Sequence, residues 1–404
     1  MLFSRRDLSK IILPLFIEQA LAVTIGMLDT VMVSTAGEAA VSGVSLVDTV
    51  NLLLVHLFAA LAGGGSVIIS QFIGQKEIKA ARESAKQLMW VVFFASSLLT
   101  IFAVSLRAPL LKLIFGKIEA DVMENAKIYF LFTALSYPFL GLYNAGASIY
   151  RAQGNSKASM LVSLLMNGLN VGGNALLIFV FDMGAAGAAI ATLFSRIVGA
   201  IIMISFACKK NKQVYVEKLF RYKPDFKLIK RICGIGIPNG LENGMFQLGK
   251  VITQSLISSL GTISIAANAA ANSLTSLQYI PGNAIGLAMI TVVGQCIGAG
   301  EKEQAKKYSR RLVGLTYLCI IAISAILCIF SKGLVGLYGL SQDATSLAQK
   351  IIYINSISVC TIWPIAFTLP TSFRAASDVK YPMILSVISM WVFRVGLSFV
   401  FAKW

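Results

Sequence analysis

ILPLFIEQALAVTIGMLDTVMVSTAG, residues 12–37, returns 224 positions later as GIPNGLENGMFQLGKVITQSLISSLG, residues 236–261. Pro14 aligns with Pro238, Glu18 with Glu242 and Gly37 with Gly261, and at the same spacing Gln71 aligns with Gln295 and Gly74 with Gly298. In the loops that follow, IGQKEIKAA at 73–81 resembles IGAGEKEQA at 297–305, and IYRAQGNSK at 149–157 resembles SFRAASDVK at 372–380, the offset having slipped to 223. These identities fall at Pro, Glu, Gln and Gly rather than at common Leu or Ala, which marks an internal duplication.

What is duplicated is apolar. Of 404 residues, 57% are hydrophobic and 13% charged, where a soluble domain carries about 25% charged residues. A bilayer span takes about 20 mostly apolar residues, and hydropathy picks out eleven such runs: 11–35, 44–73, 87–113, 126–149, 157–181, 184–207, 232–260, 265–297, 308–336, 347–372 and 381–402. The fold class is therefore all-α and polytopic, with an N-terminal six-helix lobe (1–207), a basic linker (208–231) and a five-helix C-terminal lobe (232–404). The second copy reads one helix short, because the first continues through GAAGAAIATLFSRIVGAIIM, residues 184–203, and the second ends at Trp404. The twelfth helix is either lost to truncation or absent.

The net charge of +17 would suit nucleic acid, but the basic residues sit in short loops between apolar runs. The N-terminus and alternate loops hold 25 Lys and Arg; the opposite side holds seven, Arg107, Lys112, Lys117, Lys127, Lys332, Lys350 and Lys403. Positive charge stays in the cytoplasm, so the N-terminus is expected inside. No cleavable signal peptide is expected, since the first apolar run is too long and lacks a small-residue cleavage site. Six scattered cysteines without a CxxC pair and a single histidine, His56, offer neither a disulfide framework nor a metal site. With six spans per unit each copy begins on the same side, so the copies are parallel repeats. Two such lobes rock about a shared cavity in a carrier, a symmetry that an enzyme does not need. Helices 1 and 7 are expected to face each other around the pseudo-two-fold.

With this architecture in hand, the motifs resemble the multidrug and toxic compound extrusion family, within the wider flippase-related superfamily. Residues 12–37 look like that family's helix 1 with its Asp29-Thr30 pair; YRAQGNSKASMLVSLLMNGLNVGGN (150–174) looks like its helix 4–5 connection and helix 5. GAAGAAIAT (184–192) is similar to its helix 6 signature and GIPNGLENGMFQLGK (236–250) to its helix 7 opening. The resemblance covers the whole chain. It implies export of amphipathic, often cationic drugs or toxic compounds by antiport with Na+ or H+, in a plasma membrane, by a monomer without cofactor or nucleic-acid partner. Asp29, Asn170, Asn174 and Thr192 resemble the family's N-lobe cation site. One branch has a second Asp where this chain has Asn174, which places coupling nearer the branch with two asparagines. The carboxylates that some members carry deep in helices 7 and 10 fall here near Phe246 and Trp363, which argues against a C-lobe ion site of that design.

The residues themselves support part of this. An ionisable side chain inside a membrane is costly and usually sits on an ion path or is paired, and Asp29 is such a residue; the alternative is a solvated Asp at the outer end of helix 1. Asn170 and Asn174 lie one turn apart on one helix face, offering amide oxygens of the kind hard cations accept. With no other carboxylate expected nearby, one charge per cycle is the natural stoichiometry. Glu18 and its mate Glu242 read either as a gate or cation attractor, or as carboxylates favoured by the helix dipole at two first turns. Asn243, Gln247, Lys250 and Gln254, spaced 4, 3 and 4, draw one polar stripe on helix 7, facing either a wet cavity or other helices. Lys250 is open to two readings: a partner for Asp29 or Glu18 across the lobes, or a charge that repels cations and suits a neutral or anionic substrate. His56, Asp48 and Asn51 in helix 2 are weaker candidates. Arg151 and Arg374, repeat mates, are expected to anchor to headgroups or cap helix ends. A lipid-linked saccharide flippase of the same superfamily is the alternative function; it would call for a more cationic cavity than Lys250, Arg196 and Arg394 supply. A membrane transferase lacks its acidic motifs here, and a channel would not require the duplication.

Overall fold

Without water to bond to, a chain inside lipid has to satisfy its backbone internally, and helices do so segment by segment. The computed structural model describes residues 2–116, 118–210, 212–217, 219 and 221–402; Lys117, Lys218 and Lys403 of the topology count lie outside them. The N-lobe comprises α1 (Arg5–Ser34), α2 (Glu38–Gly74), α3 (Ile78–Ser105), α4 (Arg107–Phe115), α5 (Ala120–Leu135), α6 (Tyr137–Ala152), α7 (Ser156–Asn174) with a π-helical extension Ala175–Val180, and α8 (Gly184–Cys208). The C-lobe comprises α9 (Phe226–Ser258), α10 (Thr262–Gly298), α11 (Lys302–Gly336), α12 (Gln342–Thr361), a π-helical Pro364–Thr368 leading into α13 (Leu369–Ala375), then α14 (Lys380–Ile388), a π-helical Ser389–Gly396 and α15 (Leu397–Ala402).

Among the described residues eight helical segments are long and apolar enough to cross a membrane, nine if the bent α12–α13 pair is one span. The expected spans differ from these elements in ways the residues explain. Run 126–149 is broken at Ser136, between α5 and α6, and run 87–113 ends as a separate α4 after Leu106. Span 7 is present as α9 but does not count among the apolar ones, because its polar stripe dilutes the hydropathy. Helices α3 and α11 begin well before their apolar runs, projecting charged first turns beyond the lipid.

The duplication is written in the backbone. Four left-handed residues occupy equivalent turns in both copies: Gly37 and Gly261 (φ 99° and 95°), Lys76 and Gly300 (63° and 79°), Gly116 and Gly339 (66° and 61°), Gly154 and Ser377 (76° and 68°). At Gly37 and Gly261 ψ is 164° and 169°, a region open essentially to glycine alone.

The lobes join in a crossed pattern. Leu8, Ile11 and Leu15 of α1 pack on Ala284, Ile285, Ala288 and Met289 of α10. In the mirror relation Ile232 and Ile235 of α9 pack in one core with Leu61 and Val67 of α2. The pseudo-two-fold thus passes between α2 and α10, and α1 and α9 flank it. The junction holds only at one end. A Cβ built on Gly236 would lie 2.8 Å from Leu61 Cα, whereas one on Gly244, two turns on, meets nothing nearer than Leu53 Cδ1 at 3.9 Å. From Leu21 to Asp29, α1 alternates between half-buried and exposed residues. The lobes therefore part toward the far end, leaving a cleft between α1 and α9. The N-terminus and the basic loops gather at the closed end: Leu2 N–H donates to Gln304 (3.0 Å), and Arg82 reaches the Gln213 carbonyl (2.9 Å).

The linker is shorter and better held than its composition suggested. It runs from 209 to 225, since Asp225 caps α9 through Lys227 and Leu228 N–H at 2.9 and 3.2 Å. It is strapped to α3: Trp90 Nε1 donates to the Leu219 carbonyl (2.9 Å), Gln87 Nε2 to that of Lys223 (2.7 Å), and the Trp90 and Tyr222 rings lie 5.0 Å apart.

Gly37→Val and Gly261→Val are expected to destabilise the protein by about 1–3 kcal/mol each, and Lys76→Gly to leave it unharmed. Thermal unfolding of purified protein in detergent measures both.

Candidate functional site

In the N-lobe, α1 brings Asp29 against α7 and α8. Gly173 lets α7 approach Ala191 of α8 closely, so that Asn170 and Thr192 come within hydrogen-bond distance. Asn174 Nδ2 donates to Asp29 Oδ1 at 2.8 Å. Asn170, with its amide nitrogen toward α1, donates to both Asp29 oxygens at 2.9 and 3.1 Å and accepts from Thr192 Oγ1 at 3.1 Å. Rotated by half a turn, the same amide donates to Thr192 (3.1 Å), whose hydroxyl donates to the Ala188 carbonyl at 2.9 Å. Its oxygen then faces the carboxylate. Two acceptors in contact repel unless a proton or cation lies between them. Asn174 Oδ1 is buried beside them with no donor. These side chains thus offer carboxylate and amide oxygens of the kind Na+ accepts. All four sequence-picked residues come together here.

The expectation that Asp29 has no carboxylate near it is corrected. Asp48 of α2 and Arg196 of α8 both lie close enough to act electrostatically on Asp29. Asp48 accepts from Tyr129 OH (3.1 Å) and Asn51 Nδ2 (3.3 Å); Asn51 accepts from Tyr137 OH (2.6 Å); and Arg196 donates to Ser136 Oγ (2.6 Å). Asp48 and Asn51 were legible as a polar pair one turn apart. Tyr129, Tyr137 and Ser136 were not, because nothing local marks them.

At the closed end the arginines expected at headgroups turn inward instead. Arg151 is ion-paired with Glu18, which also accepts from Ser159 Oγ at 2.9 Å. Arg374 pairs with Glu242 at 2.7 Å. Both glutamates are buried, at 5% and 8% exposure, and a buried carboxylate needs a counterion more than a helix dipole. The backbone beside each arginine is then gripped by the opposite lobe. Gln71 Nε2 donates to the Ala375 carbonyl at 2.9 Å, and its mate Gln295 donates to the Ala152 carbonyl at 2.7 Å. Thr291 Oγ1 adds a bond to the Arg151 carbonyl at 2.9 Å. Gly74 and Gly298 make this approach possible: a Cβ on Gly74 would overlap the Gln295 carbonyl oxygen, and one on Gly298 that of Gln71.

The α9 stripe divides. Asn243 donates to its own helix at the Asn239 carbonyl (2.9 Å), Gln254 accepts from Asn268 of α10 (2.9 Å), and Gln247 is half-buried. Lys250 is exposed and does not reach Asp29 or Glu18; its ammonium stands 5.0 Å from the centre of the Phe246 ring. Phe246 and Trp363, where a carboxylate pair would have stood, belong to an aromatic wall with Phe367 and Tyr279. His56 lies across from Lys250 on α2, within its electrostatic reach.

Two lobes of duplicated helices, joined at one end and open at the other, with polar groups lining the opening, have the architecture of a membrane transporter. The MatE family model matches the chain twice, over residues 14–176 and again over 238–400, so the chain belongs to this family and is a multi-pass membrane protein of a transporter family. The two matches begin at Pro14 and Pro238, the offset found in the sequence. A probable multidrug resistance protein, NorM, of Thermotoga maritima is 28% identical over 413 residues, spanning 99% of this chain and 86% of that protein. The uncharacterized transporter YisQ of Bacillus subtilis is 29% identical over 403 residues, 96% of this chain and 85% of that one. A solved structure described as the outward-facing conformation of a multidrug resistance MATE family transporter superposes with a TM-score of 0.93 at 20% identity, covering 98% of this chain and 88% of that one.

Glu18→Gln is expected to cost about 3–5 kcal/mol by leaving Arg151 buried without a counterion, and Glu18→Gln with Arg151→Met to recover most of it. Thermal unfolding of the single and double variants checks this. Removing Gln71 and Gln295 together deletes three interlobe hydrogen bonds, from Gln71 to the Ala375 carbonyl and Ser377 Oγ and from Gln295 to the Ala152 carbonyl, worth about 1 kcal/mol each. Cysteine labelling near Gly74 should then rise by roughly tenfold or more.

Proposed function

We propose that this chain is a secondary active antiporter that exports amphipathic drugs or other toxic compounds in exchange for Na+ or H+. Alternating access between the two lobes carries the compound across. The reading rests on one observation above all: Asp29 is held by Asn170 and Asn174, with the Asn174 oxygen left over beside it. A carboxylate with amide oxygens around it takes a proton or Na+, not both at full strength, so the two ions compete for one place. Charge entering there changes what α1 can hold against α7 and α8, and α1 is also the helix that packs on the other lobe. The excess of basic residues at the closed end supports a plasma-membrane protein with that end cytoplasmic. Amphipathic cargo would enter the cleft between α1 and α9. A monomer with no cofactor suffices for this cycle.

Asp48 and Arg196 enter the cycle as companions of Asp29. Asp48 is already engaged by hydrogen bonds from Tyr129 and Asn51, and Arg196 lies within electrostatic reach of both carboxylates, which leaves Asp29 as the group that exchanges its ion.

In proteoliposomes with Na+ and pH varied separately, wild-type protein is expected to export cargo under at least one of the two gradients. Asp29→Asn is expected to abolish ion-driven export while binding of cargo stays measurable. Export at the wild-type rate by Asp29→Asn would sink the assignment and make Glu18 or Glu242 the candidate.

A further inference from the structure

The C-lobe side of the cleft carries charge of the opposite sign. Two cations converge on a single ring: Lys250 Nζ lies 5.0 Å and Arg394 Cζ 5.7 Å from the centre of Phe246. Both side chains are exposed. Among the described residues neither has a carboxylate within ion-pair distance; the ion pairs found are those of Arg151, Lys210, Lys306 and Arg374. Arg394 acts electrostatically on Lys250, and Lys250 in turn on His56 across the cleft. A ring face offsets only part of the repulsion between two like charges held beside it. What the arrangement lacks is an anion.

The wall beside these cations is built rather than incidental. Trp363 and Phe367 stack at 5.2 Å with their planes 19° apart, Tyr279 adjoins Trp363 at 5.5 Å, and Phe246 meets Phe367 edge-on at 5.5 Å. Gly282 leaves the room on α10 that the Trp363 ring fills. Tyr279 is held from behind: its hydroxyl donates to Asn355 (3.2 Å), Asn355 donates to Gln278 (2.9 Å), and the fully buried Gln278 donates to Ser324 and Ser356 at 3.0 and 2.7 Å. The repeat sharpens the contrast. Asp29 of α1 has Thr253 as its mate, one turn from Lys250 on α9, and Asn170 of α7 has Phe393 as its mate, next to Arg394. The same two helices of the duplicated unit hold an acid in one lobe and two bases in the other.

We propose that this C-lobe face seats the anionic group of an amphipathic organic anion, its carboxylate, sulfonate or phosphate between Lys250 and Arg394 and its ring system against Phe246, Trp363 and Phe367. The arginine fork and the lysine point charge both favour such oxyanions. The inference rests on the exporter reading and narrows its cargo: the coupling cation belongs to the N-lobe, the anionic cargo to the C-lobe.

Fluorescence polarisation on purified protein in nanodiscs tests this with a matched pair of xanthene dyes, fluorescein (anionic) and rhodamine 6G (cationic). In phosphatidylcholine discs the wild-type protein is expected to bind fluorescein at least tenfold more tightly than rhodamine 6G. Lys250→Gln and Arg394→Gln should each weaken fluorescein by tenfold or more without changing rhodamine 6G binding, and Lys250→Arg should retain it; retained rhodamine 6G binding reports that the variants fold. Equal affinity for the two dyes, or fluorescein binding untouched by both variants, overturns the proposal. Loss of fluorescein binding in phosphatidylglycerol discs would give the seat to a lipid headgroup and overturn the assignment to cargo; unchanged binding there supports it. Asp29→Asn should leave fluorescein binding intact. If wild-type protein binds fluorescein but no gradient drives its export, the exporter reading fails and the anion seat stands.

Discussion

The place where α2 and α10 touch sets the geometry of everything else. Two helices of opposite lobes come close enough there for each glycine to lie on the other's carbonyl, and each lobe donates a glutamine to the other's backbone. Those backbone segments follow Arg151 and Arg374, which hold the buried glutamates of α1 and α9. One contact region therefore bears on all four helices that line the cleft. A van der Waals junction without side chains between the backbones has two states, closed or apart, and little in between. The cleft at the other end is the geometric counterpart of that closure.

Outward of this junction the lobes cease to be copies. The duplicated scaffold keeps its left-handed turns even where glycine has given way to Lys76 or Ser377, so the backbone has been retained more strictly than the residues that favour it. The lining has diverged freely: Asp29, Asn170 and Asn174 on one side, Lys250, Arg394 and stacked rings on the other. Symmetry here belongs to the scaffold, and asymmetry to the residues that line the cleft.

Much of the fold was legible because membranes leave few choices. Apolar length gave the spans, and rare identities such as Pro14 with Pro238 gave the repeat. The breaks at Ser136 and Leu106 were missed by apolar length alone, although Pro138 and Pro109 just beyond them mark where a helix restarts. The N-lobe site could be assembled on paper because the family resemblance implied Asp29, Asn170, Asn174 and Thr192 together, while the residues alone offered only an intramembrane Asp29 and the Asn170–Asn174 pair one turn apart. The partners of Arg151 and Arg374 could not, because a basic residue at a helix end reads the same whether it faces headgroups or turns inward toward a glutamate 133 or 132 residues away. The aromatic wall failed for a related reason: Phe246 and Trp363 are ordinary membrane residues until folding stacks them beside Lys250.

The strap between the lobes has a mechanical meaning. It is lashed to α3 as far as the Lys223 carbonyl, and from Asp225 onward it belongs to the cap of α9. Between those two points stands Pro224 alone. A proline ring fixes one of its residue's two soft torsions, so the covalent tie between the halves is a stiff pivot rather than a slack cord.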